Sequence, residues 1–373
     1  MLSKFNSDKF RFWSFVSMAL LVFVHGYNIE PRYLQPWTLP EQAFSRTAFT
    51  EYFFANGILR FRIPMLFIIS GYLYALHDYG VNRDRVKKRV RTLLVPYLLW
   101  SGLCLLIFYA LEMHPAGSAL ISASHIAQID ETRVFVHQYR WYEILARWIL
   151  VPLPYQLWFI RVLFVYNLAY PLIRRWLAGP TSKWMLFAIA ALLWLGTMNF
   201  LLFEGEGLLF FSLGVWIQKT GFDIDKPGRW LDPRVWGLVF VGAAASKTWL
   251  AFQGQPLLGD WLFPILTVLH KLTVGSGLIA AWFGCDALVG WCMARRWFVW
   301  LTAFSFIIYA VHAPWVAMLI DPTIRLLGSG PGDQMLAFVL LPPALIAFAV
   351  VLGAAMRKVA PGVYGVLTGG RGL

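Results

Sequence analysis

The sequence predicts an all-α integral membrane protein. Hydrophobic residues make up 59% of its 373 residues, only 14% are charged, and the mean hydropathy is +0.61. Soluble domains are only about half apolar and carry more charge. The net charge of +13 would suit nucleic-acid binding, but the basic residues fall between apolar segments and form no contiguous basic face. We therefore expect membrane lipid, and no nucleic acid, as a partner.

Apolar segments recur along the whole chain and predict about ten transmembrane helices. The hydrocarbon core of a bilayer, about 30 Å thick, needs about 20 mostly apolar residues in a helix. The sixth segment is short, and only Glu204-Gly-Glu206-Gly separates it from the fifth. No polar stretch is long enough for a second ordinary domain, so we expect one domain over residues 1–373. The segments are 12–29, 60–77, 93–111, 156–173, 184–202, 207–219, 235–252, 261–284, 298–320 and 335–356.

The loops differ in charge, and this predicts the orientation. With a cytoplasmic N-terminus, 21 of the 32 Lys and Arg residues lie in cytoplasmic segments and 8 in outer segments. Because positive residues are retained inside, both termini are expected in the cytoplasm. The first apolar run is too long for a signal peptide and lacks a small-x-small cleavage site. The three cysteines lie in or beside apolar segments, which predicts neither a disulfide framework nor a metal site.

Polar side chains from four predicted spans fall at one depth, in the outer part of the membrane. His25, for example, lies 14 residues beyond Arg11, about 21 Å from the inner interface at 1.5 Å per residue. An ionisable group at such a depth is costly unless it faces other helices or water. A structural pairing would explain any one of these residues, but together they favour a water-accessible pocket. They are His25, Arg62, Trp158, Arg161 and His312.

Two further features bear on a path from the cytoplasm. The basic run Arg83–Arg91 follows the second span, either as a topology anchor or as a seat for a phosphate-rich ligand. Ser70-Gly71 falls at mid-membrane. These small residues either permit close helix approach or line a passage, with Gly71 leaving room for a chain-like ligand. His270-Lys271, also within a span, are weaker candidates for a substrate path.

Five strings, in order over nearly the whole chain, resemble motifs of one family. They are the first span ending in His25, Arg62-Ile-Pro-Met-Leu-Phe-Ile-Ile-Ser-Gly-Tyr72, Lys88-Arg-Val-Arg-Thr-Leu-Leu-Val-Pro-Tyr97, Leu157-Trp-Phe-Ile-Arg161 and Ser305-Phe-Ile-Ile-Tyr-Ala-Val-His312. The chain thus resembles the acyltransferase 3 family of integral membrane acyltransferases. Members commonly carry an arginine eleven residues before the first-span histidine. Ser14 stands there in this chain, with Arg11 one helical turn earlier.

The resemblance implies an O-acyltransferase of the bacterial inner membrane. It takes an acyl group, acetyl by default, from cytoplasmic acyl-CoA and passes it to a hydroxyl of a polysaccharide or lipid-linked sugar on the outer side. A polar pocket in the outer half would then be joined to a cytoplasmic CoA site. His25 is implied as general base or transient acyl carrier, and Arg62 with Arg161 as stabilisers of the oxyanion.

The resemblance also implies binding roles and leaves alternatives. The acceptor sugar is expected at the aromatic-rich outer loops 30–59 and 112–155, and no metal is expected. The alternatives are a transporter or flippase of the glycan or acyl donor, and a non-catalytic membrane subunit, which Ser14 favours. The expected substrate-binding residues are Ser70, Trp158, Tyr309, His312 and Arg11. The expected CoA-binding residues are Lys87, Lys88, Arg89 and Arg91.

Overall fold

Helices and loops make up the computed structural model, which describes residues 2–78 and 82–372. The described residues contain no β-strand, only the isolated bridges Asp130–Arg133 and Asn199–Glu204. The all-α prediction is confirmed for this part of the chain. Its α-helices are α1 (Lys4–His25), α2 (Arg46–Tyr52), α3 (Arg62–Leu76), α4 (Asn82–Arg89), α5 (Val95–Glu112), α6 (Pro115–Ser124), α7 (Trp141–Ile149), α8 (Trp158–Ala178), α9 (Ser182–Leu195), α10 (Gly205–Thr220), α11 (Pro233–Gln253), α12 (Gln255–Leu258), α13 (Leu262–Gly284), α14 (Asp286–Met293), α15 (Arg296–Thr302), α16 (Ser305–Val311), α17 (Trp315–Leu327), α18 (Pro331–Val359) and α19 (Pro361–Thr368).

Some of these helices continue into one another. Helix α2 passes through a π turn, Phe53–Gly57, and a 3-10 turn, Ile58–Phe61, directly into α3. Helix α4 similarly passes through the π turn Val90–Leu94 into α5. Single π turns inside helices occur often at functional sites, because they reorient the side chains that follow. Here the first π turn precedes Arg60 and Arg62, two cations of the site described below.

Six helical segments of the described chain are long and apolar enough to cross a membrane, or seven if a bent pair counts as one span. The bent pair is α16 with α17, which turn by 69°. Helices α1, α9 and α10 lie at the remaining predicted positions. The protein is therefore a multi-pass helical membrane protein, while the number ten and the cytoplasmic termini stay predictions. The six segments are Arg46–Leu76, Arg83–Glu112, Tyr155–Ala178, Arg229–Gln253, Gln255–Gly284 and Gly332–Val359.

Helix α1 lies at the centre of the bundle, in contact with α3, α14, α16 and α18. Its N-terminal half carries the completely buried Lys9. The Lys9 ammonium forms an ion pair with Asp286 at 2.5 Å and lies 4.6 Å from the centre of the Trp282 ring. A buried ammonium is costly without such partners. This contact therefore helps to fix the depth at which α1 presents His25, its last residue.

Helices α3 and α10 meet backbone to backbone through two glycines. A Cβ on Gly71 would lie 2.1 Å from the Phe211 carbonyl oxygen, and a Cβ on Gly214 would lie 2.1 Å from the Ile68 carbonyl oxygen. Small residues allow such close approach of membrane helices. The expectation that Gly71 leaves room for a chain-like ligand is therefore wrong, because α10 fills that space. The alternative, close helix approach, is confirmed.

Replacing Gly214 by valine is expected to destabilise the bundle, because the new side chain must push against the Ile68 carbonyl group. Overpacking of this kind typically costs about 1–3 kcal/mol. We expect a lower midpoint of thermal unfolding in detergent and a smaller folded fraction on size exclusion. Gly242→Val on α11 is the control, since nothing lies within 4 Å of a Cβ there. Equal losses in the two variants would contradict the tight contact.

Candidate active site

A cavity of about 440 Å³, which we call the central cavity, collects polar side chains from several helices. Residues 33–36 of the loop after α1 and Thr197, Asn199 and Phe200 of the loop after α9 also line it. The structure thus brings the three predicted catalytic residues and some of the predicted binding residues to one place. Those that line the cavity are His25, Arg62, Trp158, Arg161, Tyr309, His270 and Lys271.

His25 lies between the central cavity and a second one. This side cavity, of about 310 Å³, is lined by His25 with Tyr33, Tyr155 and residues of the outer loops. The His25 ring meets the Tyr155 ring edge-on at 5.0 Å and stacks on the His312 ring at 5.7 Å, with 21° between the two planes. The imidazole is only partly buried. It therefore borders two cavities and is not packed dry against hydrocarbon.

His312 is placed by the break between α16 and α17. Its Nδ1 lies 2.9 Å from the Tyr309 carbonyl oxygen and 3.1 Å from that of Ile308. Because carbonyl oxygens only accept, Nδ1 donates, and Nε2 of a neutral ring carries the lone pair. Nε2 is buried without a hydrogen-bond partner among the described residues. His312 thus lies behind His25 as an oriented imidazole that does not itself line the central cavity.

Gln156 stabilises the same break between α16 and α17. It was not among the site residues predicted from the sequence. Its Nε2 lies 3.0 to 3.3 Å from the carbonyl oxygens of Tyr309, Ala310 and Ala313. In return, the Tyr309 hydroxyl donates to the Gln156 carbonyl oxygen at 2.5 Å. These bonds satisfy carbonyl groups that lose their helical partners at the bend. Gln156 therefore determines where His312 and Tyr309 sit.

Two arginines at the central cavity keep free donors. Arg62 donates from one terminal nitrogen to the Leu59 carbonyl oxygen at 3.2 Å, but its Nε has no partner among the described residues. The Nε of Arg161 is also buried without one. Arg60 differs, because it donates to two backbone carbonyl groups. Buried donors without partners are rare in proteins, so Arg62 and Arg161 are the cations poised for an anionic group.

Two carboxylates also line the central cavity, and sequence reasoning missed them as site residues. Glu204 precedes the first residue of α10, and Glu206 lies in its first turn. Glu206 accepts a hydrogen bond from the Trp194 indole at 3.1 Å. The available signal was the placement of two carboxylates, each followed by glycine, between apolar segments. That pattern was interpreted only as a boundary between two spans.

Two predicted substrate-binding residues lie elsewhere. Arg11 donates to Thr302 Oγ1 at 2.5 Å and to the Val299 carbonyl oxygen at 2.9 Å, at the end of α1 opposite His25. There it lines a separate cavity of about 600 Å³ with Arg296 and Arg357, the basic groove. Ser70 is not among the described residues that line the central cavity. The expectation that Arg11 and Ser70 join His25 around the substrate is therefore corrected.

In the basic run Arg83–Arg91, which was predicted to bind CoA, only some side chains form contacts within the protein. Asp78 pairs with Arg85, Arg174 and Lys219 at 2.7 to 3.0 Å. Burial alone would raise the pKa of Asp78, but hydrogen bonds from Lys219 and Tyr170 hold it below its ordinary value.

The remaining members of this run differ in exposure. Arg89 packs its guanidinium over the Tyr74 ring at 4.8 Å. Lys87, Lys88 and Arg91 are exposed and form no ion pair within the described chain. These three, unlike Arg85, remain available to an anionic ligand.

Arg371 is a further cation that sequence reasoning missed. It donates to the carbonyl oxygens of Thr92 at 2.8 Å and Thr368 at 3.0 Å, and lies 4.9 Å from the centre of the Phe306 ring. Burial lowers the pKa of Arg371 to about 10, and the charge of Arg89 acts in the same direction. Tyr309 is also within its electrostatic range. Arg371 therefore lies between the basic run and a residue of the central cavity.

Comparison with known proteins gives two matches. Residues 15–357 match the model of the acyltransferase 3 family, described as an acyltransferase domain. The chain is also similar to the succinoglycan biosynthesis protein ExoH of Rhizobium meliloti (strain 1021), with 25% identity over 360 residues, 94% of this chain and 89% of that protein. No solved structure matches. The family match covers every helix that contributes to the central cavity.

Replacing Gln156 by leucine is expected to loosen the bend at His312, because the backbone carbonyl groups of Ala310 and Ala313 lose their buried donor. Leaving such groups unsatisfied costs about 1–3 kcal/mol. We expect a lower midpoint of thermal unfolding in detergent. Gln253→Leu, at an exposed position at the end of α11, is the control. An unchanged midpoint in Gln156→Leu would show that the amide does not hold the bend.

Proposed function

Because this chain belongs to the acyltransferase 3 family, we propose that it transfers an acyl group from cytoplasmic acyl-CoA to a hydroxyl of a glycan on the outer side of a bacterial inner membrane. Acyl transfer to a glycan is supported by the family and by the similarity to a succinoglycan biosynthesis protein. The observation that carries the proposal is the partly buried His25 ring, which borders the central cavity beside arginines with free donors. Acetyl is the proposed acyl group.

His25 acts as the general base in this proposal. Its imidazole takes the proton of the acceptor hydroxyl while the hydroxyl oxygen attacks the thioester carbonyl carbon. The new carbon–oxygen bond forms, the carbon–sulfur bond breaks, and the departing CoA thiolate takes the proton back. His312, oriented by the Ile308 and Tyr309 carbonyl groups, keeps the His25 ring in place by stacking.

Arg62 and Arg161 stabilise the tetrahedral intermediate. Its negative oxygen accepts hydrogen bonds from donors that have no partner among the described residues. Fixed donors are most effective where the developing charge lies in a water-poor, low-dielectric site. Trp158 and Tyr309, which line the same cavity, form the walls against which the acyl group packs.

The donor approaches along a series of cations. The CoA phosphates bind at the exposed Lys87, Lys88 and Arg91, beside Arg89. The pantetheine arm then passes Arg371, which is within electrostatic range of both Arg89 and Tyr309. This route replaces the passage along Ser70, because α10 closes the space beside Gly71.

Replacing His25 by alanine is expected to lower acyl transfer by about 10²- to 10⁴-fold, the usual contribution of a general base. Transfer is measured with purified protein, acetyl-CoA and envelope glycan, by mass spectrometry of the glycan. His114→Asn is the control, since His114 caps α6 in an exposed loop and asparagine is also a good cap. Near-normal transfer by a folded His25→Ala protein would contradict the role of His25.

The same assay separates the remaining possibilities. If His25 carries the acyl group transiently, incubation with acetyl-CoA alone leaves an acetylated peptide that contains His25. If the protein were a transporter or a non-catalytic subunit, the wild type would consume no acetyl-CoA in the presence of glycan.

Reversing two exposed charges of the basic run tests the donor site. We expect Lys88→Glu with Arg91→Glu to weaken acetyl-CoA binding about tenfold or more, since charge-assisted bonds to phosphate are lost. Binding is measured by calorimetry in detergent at two salt concentrations. Arg296→Glu with Arg357→Glu, in the basic groove, is the matched control. Loss of binding in the control pair alone would move the CoA phosphates to the basic groove.

A further inference from the structure

We propose that the acidic end of the central cavity is the subsite for the acceptor sugar. We define this end by Glu204, Glu206, Trp194, Thr197 and Asn199, all of which line the cavity. The ligand is a pyranose with free hydroxyl groups and no charge of its own at this subsite. Glu204 accepts hydrogen bonds from those hydroxyls, and the Trp194 ring lies against an apolar face of the sugar. This inference rests on the proposed function.

The acidic end is rigidly built. The Tyr166 hydroxyl donates to the Glu204 carbonyl oxygen at 2.6 Å and lies 3.1 Å from the Glu204 amide nitrogen. A Cβ on Gly205 would lie 2.4 Å from the Leu193 carbonyl carbon, and a Cβ on Gly207 would lie 2.6 Å from the Tyr166 ring. The backbone on both sides of Glu206 is thus pressed against α8 and α9. Packing, and not a mobile loop, positions the two carboxylates.

Glu204 has an unused acceptor in this rigid setting. Its Oε1 is buried and has no hydrogen-bond partner among the described residues, whereas Glu206 already accepts from the Trp194 indole. A buried carboxylate oxygen without a donor is costly. Sugar hydroxyls supply such donors. Glu204 is therefore the residue that a hydroxyl-rich ligand would satisfy.

The surrounding charges select a neutral ligand. Lys271 lies 4.9 Å from the centre of the Trp194 ring, and both Lys271 and Arg60 are within electrostatic range of Glu206. A cationic ligand would be repelled by Lys271 and Arg60, and an anionic ligand would be repelled by the two glutamates. Uncharged hydroxyl groups avoid both kinds of repulsion.

The side cavity does not offer an equivalent acceptor. Its two carboxylates, Glu30 and Asp321, both accept from Arg32, at 2.8 Å and 3.0 Å. The acidic end also shares one cavity with His25, and Arg62 is within electrostatic range of both His25 and Glu206. A sugar held by Glu204 therefore has a hydroxyl within the cavity that the catalytic imidazole borders.

The test uses octyl β-D-glucoside as the sugar acceptor and 1-O-octylglycerol as an alcohol of similar tail without a sugar ring. With acetyl-CoA as donor, Glu204→Gln is expected to raise the KM for octyl glucoside about tenfold, the loss of one hydrogen bond, because the amide nitrogen donates where a carboxyl oxygen accepts. The KM for octylglycerol and the rate of acetyl-CoA hydrolysis without acceptor are expected to stay within about twofold. Glutamine is nearly isosteric, and Tyr166 hydrogen-bonds the backbone of Glu204, so we expect the fold to be retained.

Glu131→Gln, in an exposed outer loop, is the matched control and is expected to match the wild type with both alcohols. An unchanged KM for octyl glucoside in Glu204→Gln would overturn the subsite, as would equal losses with octyl glucoside and octylglycerol. Acetylation of octylglycerol but not of octyl glucoside by the wild type would also overturn it. A wild type that neither consumes acetyl-CoA nor acetylates either alcohol would instead refute the proposed function.

Discussion

Polar groups at membrane depth must find partners inside the protein or face water, and this constraint organises the whole structure. Lys9, near the start of α1, meets it by pairing with Asp286. His25, at the end of α1, meets it by bordering two cavities and stacking on His312. The helix in between is apolar and central. One helix thus carries a paired charge near one end and an accessible imidazole at the other.

Several residues at the central cavity have a second property in common, their place at helix ends. His25 is the last residue of α1, Arg62 the first of α3, Trp158 the first of α8, and Glu204 directly precedes α10. Irregular backbone at membrane depth is tolerated only where it is buried in protein or lines a cavity. Helix ends also leave backbone groups that side chains can satisfy, as Gln156 does at the bend between α16 and α17. Concentrating helix ends at one depth therefore builds a polar chamber inside an apolar bundle.

The lining of the central cavity offers two kinds of chemistry. The imidazole of His25 and the free donors of Arg62 and Arg161 suit proton transfer and the stabilisation of an anion. Glu204 and Glu206, with Trp194, suit hydroxyl groups and a sugar ring. An acyl transfer needs both kinds of chemistry within reach of one bound alcohol.

Hydropathy was enough to predict a helical membrane protein and a helix at every predicted segment. Helical rise was enough to predict that His25, Arg62 and Arg161 meet, and they line one cavity. Such reasoning works because position along a helix axis is set by residue number alone. It could not supply rotation about each helix axis or the identity of lateral neighbours. Only the tertiary structure therefore decided that α10 fills the space beside Gly71 and that Arg11 points away from the site. It also decided that Glu204, which lies between two apolar segments, and Gln156, at the first position of another, reach the cavity that His25 borders.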